Sequence, residues 1–328
     1  MLAIRYLIVC LLTTLFSVAA RGDSGFWGPP ENLGPPINSP ANELSGVLCP
    51  TGLNLFFART VTGQNDLFAA PREGDGWGRP AALTALNTPL YNELNLTFGR
   101  DGARVYFTTN RPGGPGGFDI WTSAFSGATW LPPEPMGPEV NSSGDEWYAA
   151  EGTDGLYISA RTSSGLNRGD ILFAAGVYPN FAPHLPLPPF ATSSREMSAF
   201  PNPDGSALYI TADYVGSLGR GDLWFSRRSG ASWAAPCALL CGINAEDFDL
   251  YPSVSTDQRE LIFASFGRPG GRAVPTCIAP GGTPWATSMP TVPPRPVISF
   301  TLWSSFSAGD RLRSMRLWKT STATAMQR

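Results

Sequence analysis

The stretch Asp101-Gly-Ala-Arg-Val-Tyr-Phe-Thr-Thr-Asn110-Arg-Pro-Gly-Gly-Pro-Gly-Gly-Phe-Asp-Ile-Trp121 is the clearest copy of a unit that recurs along the chain. Asp-Gly supplies the positive φ that a tight hairpin turn needs. Val105-Tyr-Phe-Thr is a short run of β-branched and aromatic residues, as in a strand. A glycine-rich loop then leads to Asp119 and a second such run.

Each part returns in order. The turn recurs as Thr51-Gly52, Asp154-Gly155, Asp204-Gly205 and Asp257-Gln258. The first strand recurs as Leu55-Phe-Phe-Ala, Leu156-Tyr-Ile-Ser, Leu208-Tyr-Ile-Thr and Leu261-Ile-Phe-Ala. The second recurs as Asp66-Leu-Phe, Asp170-Ile-Leu and Asp222-Leu-Trp. A Trp phrase follows in Trp77-Gly-Arg-Pro, Trp130-Leu-Pro-Pro and Trp233-Ala-Ala-Pro, and residues 178–189 hold the place of a weaker member. Then come Ile37-Asn38, Leu86-Asn87, Val140-Asn141 and Ile243-Asn244. An acid before an apolar residue closes the unit: Glu43-Leu44, Glu93-Leu94, Glu146-Trp147, Glu196-Met197 and Asp247-Phe248.

The period is about 50 residues, within the range of propeller blades. Each unit supplies four short antiparallel strands, and one such sheet cannot bury both faces alone. Radial stacking buries them and leaves only short edges. The sequence therefore predicts an all-β protein, a β-propeller with five detectable blades. Trp27-Gly-Pro-Pro belongs to an outer strand yet precedes the first full unit. An N-terminal strand is thus expected to complete the last blade and close the ring. No segment sustains a 3.6-residue period, so helices should be few.

These phrases resemble the WD-repeat-like propeller family of the TolB type, found in bacterial envelopes. The resemblance covers residues 25 to about 271, and its most specific string runs from Asn110 to Trp121. It implies an exported, non-enzymatic scaffold that binds a protein or an envelope polymer. Relatives usually have six blades, so a sixth blade from the tail is the alternative.

Composition agrees with this class. The 328 residues include 36 Gly and 32 Pro, too many for a helical bundle. Aromatic residues at 12% argue against disorder. A net charge of −3 argues against nucleic acid as the partner.

Arg5, an apolar run over residues 7–18 and small residues to Ala20 read as a secretory signal peptide over residues 1–20. The run is too short for a transmembrane anchor. The expected location is periplasmic or extracellular, and the expected state monomeric. The propeller is assigned to residues 21–271. After Arg268-Pro-Gly-Gly271 the unit stops before its third strand. Residues 272–328 form an atypical Pro-rich, basic tail, expected to be poorly ordered. A disordered extension, a shifted reading frame and a degenerate sixth blade all remain open for it.

Catalytic signatures are scarce. His184 is the only histidine and lies in a Pro-rich loop, so neither a Ser-His-Asp triad nor a zinc site is built around it. Cys237 and Cys241 are close enough for a loop disulfide in an exported chain. Two carboxylate sets recur: Asp66, Asp119, Asp170 and Asp222, and Glu43, Glu93, Glu146 and Glu196. Read functionally, they ring one mouth and bind a cationic ligand or Ca²⁺, no other cofactor being implied. Read structurally, each caps its own turn, because a catalytic acid is needed once and not in every blade. The alternative to a scaffold is a propeller-class glycoside hydrolase or lyase using channel-lining carboxylates.

Overall fold

The computed structural model describes residues 13–19, 27–28, 30–161, 169–239 and 242–266. The tail over 272–328 and Cys241 lie outside the described residues. Among the described residues there is no helix. The strands form five antiparallel sheets arranged as the blades of a propeller.

Four blades are each built from one continuous stretch. Their inner strands are Glu43–Leu48, Glu93–Phe98, Asp145–Glu151 and Glu196–Pro201. Their second strands are Asn54–Val61, Arg104–Thr109, Gly155–Arg161 and Ala207–Ala212. The third are Gln64–Glu73, Asp119–Ala124, Asp170–Val177 and Asp222–Ser229. Short outer strands follow at Ala81–Ala82, Glu134–Pro135, Leu185–Pro186 and Cys237–Ala238.

The fifth blade draws on both ends of the chain. Its inner and second strands are Asp249–Val254 and Glu260–Phe266. Its third strand is Thr13–Ala19 and its outer strand Glu31–Asn32. Phe16 pairs with Phe263 on one side and Asn32 on the other. Trp224 of blade 4 pairs in the same register with Ile210 and Ala238. The outer strand that follows Trp27 thus completes the last blade, as the displaced phrase predicts, and the N-terminal strand Thr13–Ala19 joins it to the rest of that blade. The fifth blade does not lack its third strand, contrary to what the break after Gly271 suggests. A segment that reads as part of a leader occupies that position in the full chain.

The core is divided among the blade junctions. Leu94, Val105 and Trp130 pack with Phe56 and Leu67 between blades 1 and 2. Trp233 packs with Tyr157 and Phe190 between blades 3 and 4, and Trp27 with Tyr209 and Leu261 between blades 4 and 5. Phe181 stands where blade 3 lacks the expected Trp. Inner strands touch in ring order, and the last returns to the first.

The recurring Asn has a defined task. Asn87, Asn141 and Asn244 each accept from the N–H and donate to the C=O of one third-strand residue: Leu67, Ile120 and Leu223. The amide copies a strand partner where the outer strand has ended. The turns also follow the sequence in most blades. Gly52, Gly102 and Gly205 have φ of 72°, 67° and 74°, and Gln258 takes 59°. Asp154-Gly155 is the exception: Gly155 already begins a strand, and Asp154 pairs with Arg228 instead.

Candidate functional site

Inner strands begin, second strands end and third strands begin at one face of the ring. Both carboxylate sets therefore gather there. Glu43, Glu93, Glu146 and Glu196 start their inner strands, and all four are 0% exposed. Each accepts a hydroxyl hydrogen bond from the loop before it, from Ser39, Thr88, Ser142 and Thr192 respectively. In blade 5 the equivalent acid is Asp249, which accepts from the N–H of Ala245. This corrects the match to Asp247, which lies two residues too early.

Burying a charged carboxylate is costly unless it is paired. Blades 1 and 2 pair theirs. Arg59 Nε lies 2.8 Å from Glu43, and Arg111 Nη2 lies 3.0 Å from Glu93. Blades 3 and 4 differ, since Arg161 is exposed and residue 213 is an Asp. Burial, assisted by Asp119 and Asp145, raises Glu146 to about 7 against the Ser142 bond. Burial, with Asp170 adding, raises Glu196 to about 7 against the Thr192 bond. Burial also raises Glu43, in spite of Arg59.

The third-strand acids occupy the same face. Asp119 accepts from the N–H of Gly116 at 3.1 Å. Asp222 accepts from Leu218 and Gly219 at 2.6 and 3.1 Å. Asp170 is buried opposite Ala160. Asp66 is half-buried opposite Arg59, and burial and then Glu93 raise its carboxyl. Glu93 thus raises Asp66, Asp119 raises Glu146 and Asp170 raises Glu196, so the two sets form acid pairs across successive junctions. Among the described residues, no group of three or more His, Cys, Asp or Glu could hold a metal ion. Cys237 is exposed, while the disulfide expected with Cys241 falls outside the described residues.

Side chains meet across the axis of the ring. Tyr148 and Tyr251 lie on the inner strands of blades 3 and 5, separated by a whole blade. Their rings nevertheless stack, with centroids 6.1 Å apart at 12°, so they meet across the axis. Asn95 joins them, donating to the carbonyl of Trp147 and taking its own N–H to Ser45 Oγ. The inner-strand acids therefore do not line an open channel.

Sequence reasoning found the acids but missed their partners. Ser39, Thr88 and Ser142 directly follow the recurring Asn, and that Asn-Ser/Thr pair is the signal that identifies them. Arg59 and Arg111 carry no such signal, because they sit at different offsets from their strands.

Two expected outcomes follow. Asp119→Ala should cost about 1 kcal/mol through loss of a local backbone bond, read by urea unfolding. Glu146→Gln should stabilise the protein at pH 8 and leave it unchanged at pH 4. Below 4.5 both folded and unfolded states hold the proton. Between 4.5 and about 7 only the folded state holds it, so stability falls as pH rises and the loss is complete above about 7. The gain at pH 8 should approach about 3 kcal/mol, and an equal effect at both pH values would contradict it.

The same face carries exposed apolar side chains. Leu90, in the loop entering blade 2, is 72% exposed. Val215 and Leu218, in the loop between second and third strands of blade 4, are 100% and 70% exposed.

No family model matches this chain, and no curated protein matches it. Solved structures do. TolB from Acinetobacter baumannii matches at 12% identity and TM-score 0.45, over 76% of this chain and 63% of its own. A Mycobacterium tuberculosis puromycin-hydrolyzing peptidase matches at 13% and 0.39, over 64% of this chain and 31% of its own. The PQQ-bound aldose sugar dehydrogenase from Streptomyces coelicolor matches at 14% and 0.41, over 72% and 85%. The chain thus spans less than two thirds of the length of the TolB structure. At these identities and scores the comparisons do not separate binding from catalysis, and the β-propeller assignment stands on the sheet topology.

Proposed function

We propose that this chain is a non-enzymatic propeller scaffold, exported to the periplasm or beyond, that binds a protein through the face where the inner strands begin. One observation carries the reading: the inner-strand acids there are enclosed, while apolar side chains stand out on the same face. Glu43, Glu93, Glu146 and Glu196 are wholly buried and bonded to their own loops. A carboxyl that no substrate can touch cannot serve as a glycosidase acid or base. Val215, Leu218 and Leu90 expose apolar surface on that face, which favours a protein over a polar polymer.

The test is positional. A photo-crosslinking residue is placed at Val215 or at Leu90, and as control at Leu53, which is 53% exposed on a turn at the opposite face. Discrete protein adducts in the producing cell are expected from the first two positions and not from Leu53. Equal labelling at all three, or glycan-cleaving activity lost in Glu146→Gln, would overturn the reading.

A further inference from the structure

At three of the four junctions where it is described, a third-strand position opposite the Trp phrase carries a side chain that covers the rim. Arg72 fills it in blade 1, in register with Trp77, and reaches Glu260 of blade 5 at 2.8 Å. Arg228 fills it in blade 4, in register with Trp233, and reaches Asp154 of blade 3 at 2.7 Å. Phe125 fills it in blade 2, against Trp130. Blade 3 alone among these four has a glycine there, Gly176, in register with Phe181. Its φ is +124°, and a Cβ would stand 2.4 Å from the Asn180 carbonyl oxygen. The backbone therefore forbids the cover that the other three junctions carry.

What remains open is a cleft of about 230 Å³ between blades 2 and 3, lined by Arg100, Asp101, Arg104, Glu151, Val177 and Tyr178. Its charges are arranged unlike those of the closed junctions. Arg104 stands at the start of the second strand, where blade 5 has Glu260. Its guanidinium lies over the Tyr178 ring, 3.6 Å from the centroid, and donates to Thr122. Neither Arg104 nor Arg100 forms an ion pair with a described residue. The acids nearby are engaged otherwise: Asp101 accepts from Ala103 and Arg104 N–H, and Glu151 from Arg100 N–H and the Tyr106 hydroxyl. The cleft thus offers two guanidinium groups outside any direct ion pair, beside an aromatic ring and Val177, which is 58% exposed.

We propose that this cleft binds a small organic carboxylate of amino-acid size with an apolar body. Arg100 and Arg104 take the carboxylate, for which the guanidinium fork is matched. Tyr178 and Val177 cover the body. Glu151 and Asp101 keep the site near neutral, which disfavours phosphate and other dianions.

The test uses 4-methylpentanoate, its uncharged amide 4-methylpentanamide and inorganic phosphate, titrated calorimetrically into the full chain. The carboxylate should bind saturably, and the amide and phosphate at least about tenfold more weakly. Arg104→Gln and Arg100→Gln should each weaken carboxylate binding at least about tenfold. Melting temperature is read alongside, so that a variant that fails to fold is recognised and Arg100→Gln, at the rim, still decides. Equal binding of acid and amide, no saturable binding of the acid up to about 10 mM, or full affinity in a folded Arg100→Gln variant would overturn the proposal.

Discussion

Replacing Arg111 by Met should cost about 3–5 kcal/mol at pH 8, the range for breaking a buried ion pair from one side. Arg111 bonds to Glu93, to the Thr109 hydroxyl and to the carbonyl of Leu86, and lies over the rings of Phe107 and Trp121. Met retains part of the apolar contact but leaves Glu93 enclosed without a cation. Blade 2 would then stand as blade 3 does, with a buried Glu held only by hydroxyl and backbone donors. A carboxyl in that state takes up a proton more readily, so the cost should shrink at pH 5. Urea unfolding at both pH values reads the difference. A loss as large at pH 5 as at pH 8 would assign Arg111 to packing and not to charge.

The second large effect concerns ring closure. A chain beginning at Arg21 should melt far below the full chain when both are made without export. Thr13–Ala19 pairs along its whole length with Glu260–Phe266 and holds the outer strand Glu31–Asn32. Removing it frees two strand edges and detaches the outer strand. Net hydrogen-bond contributions near 1 kcal/mol place the loss at roughly 5 kcal/mol or more. For a propeller of this size that is a drop on the order of 10–20 °C. Removing residues 276–328 should change melting little, because that stretch lacks the alternation and turn signals of a blade. A small loss from the first truncation, or a large one from the second, would mean that the ring is closed otherwise.

The blades were legible because their signals are local. An Asp-Gly turn, a run such as Leu208-Tyr-Ile-Thr and a following Trp each declare themselves within a few residues. What escaped was set by distance in sequence. The fifth blade's third strand comes from the other end of the chain, within residues that also read as a leader, and no short window contains both facts. Asp247 was matched for a related reason. Asp247-Phe248 and Asp249-Leu250 fit the acid-then-apolar rule equally, and only the spacing from the recurring Asn separates them. Asn38 to Glu43, Asn141 to Glu146 and Asn244 to Asp249 are the same interval. The Gly176 opening was invisible because a missing side chain leaves no motif.

The two-ended blade also sets an order of events during synthesis. Phe16 emerges early, but its partner Phe263 is among the last described residues to be made. At about 5–20 residues per second, the interval between them is on the order of tens of seconds. Blades 1 to 4 can form while the ribosome is still working, each from contiguous chain. The first strand must wait unpaired, an apolar segment without its partner. Throughout that wait it is available to any factor that binds nascent apolar leaders. How long that strand stays uncovered is then set by the elongation rate, so slower translation prolongs its exposure and faster translation shortens it.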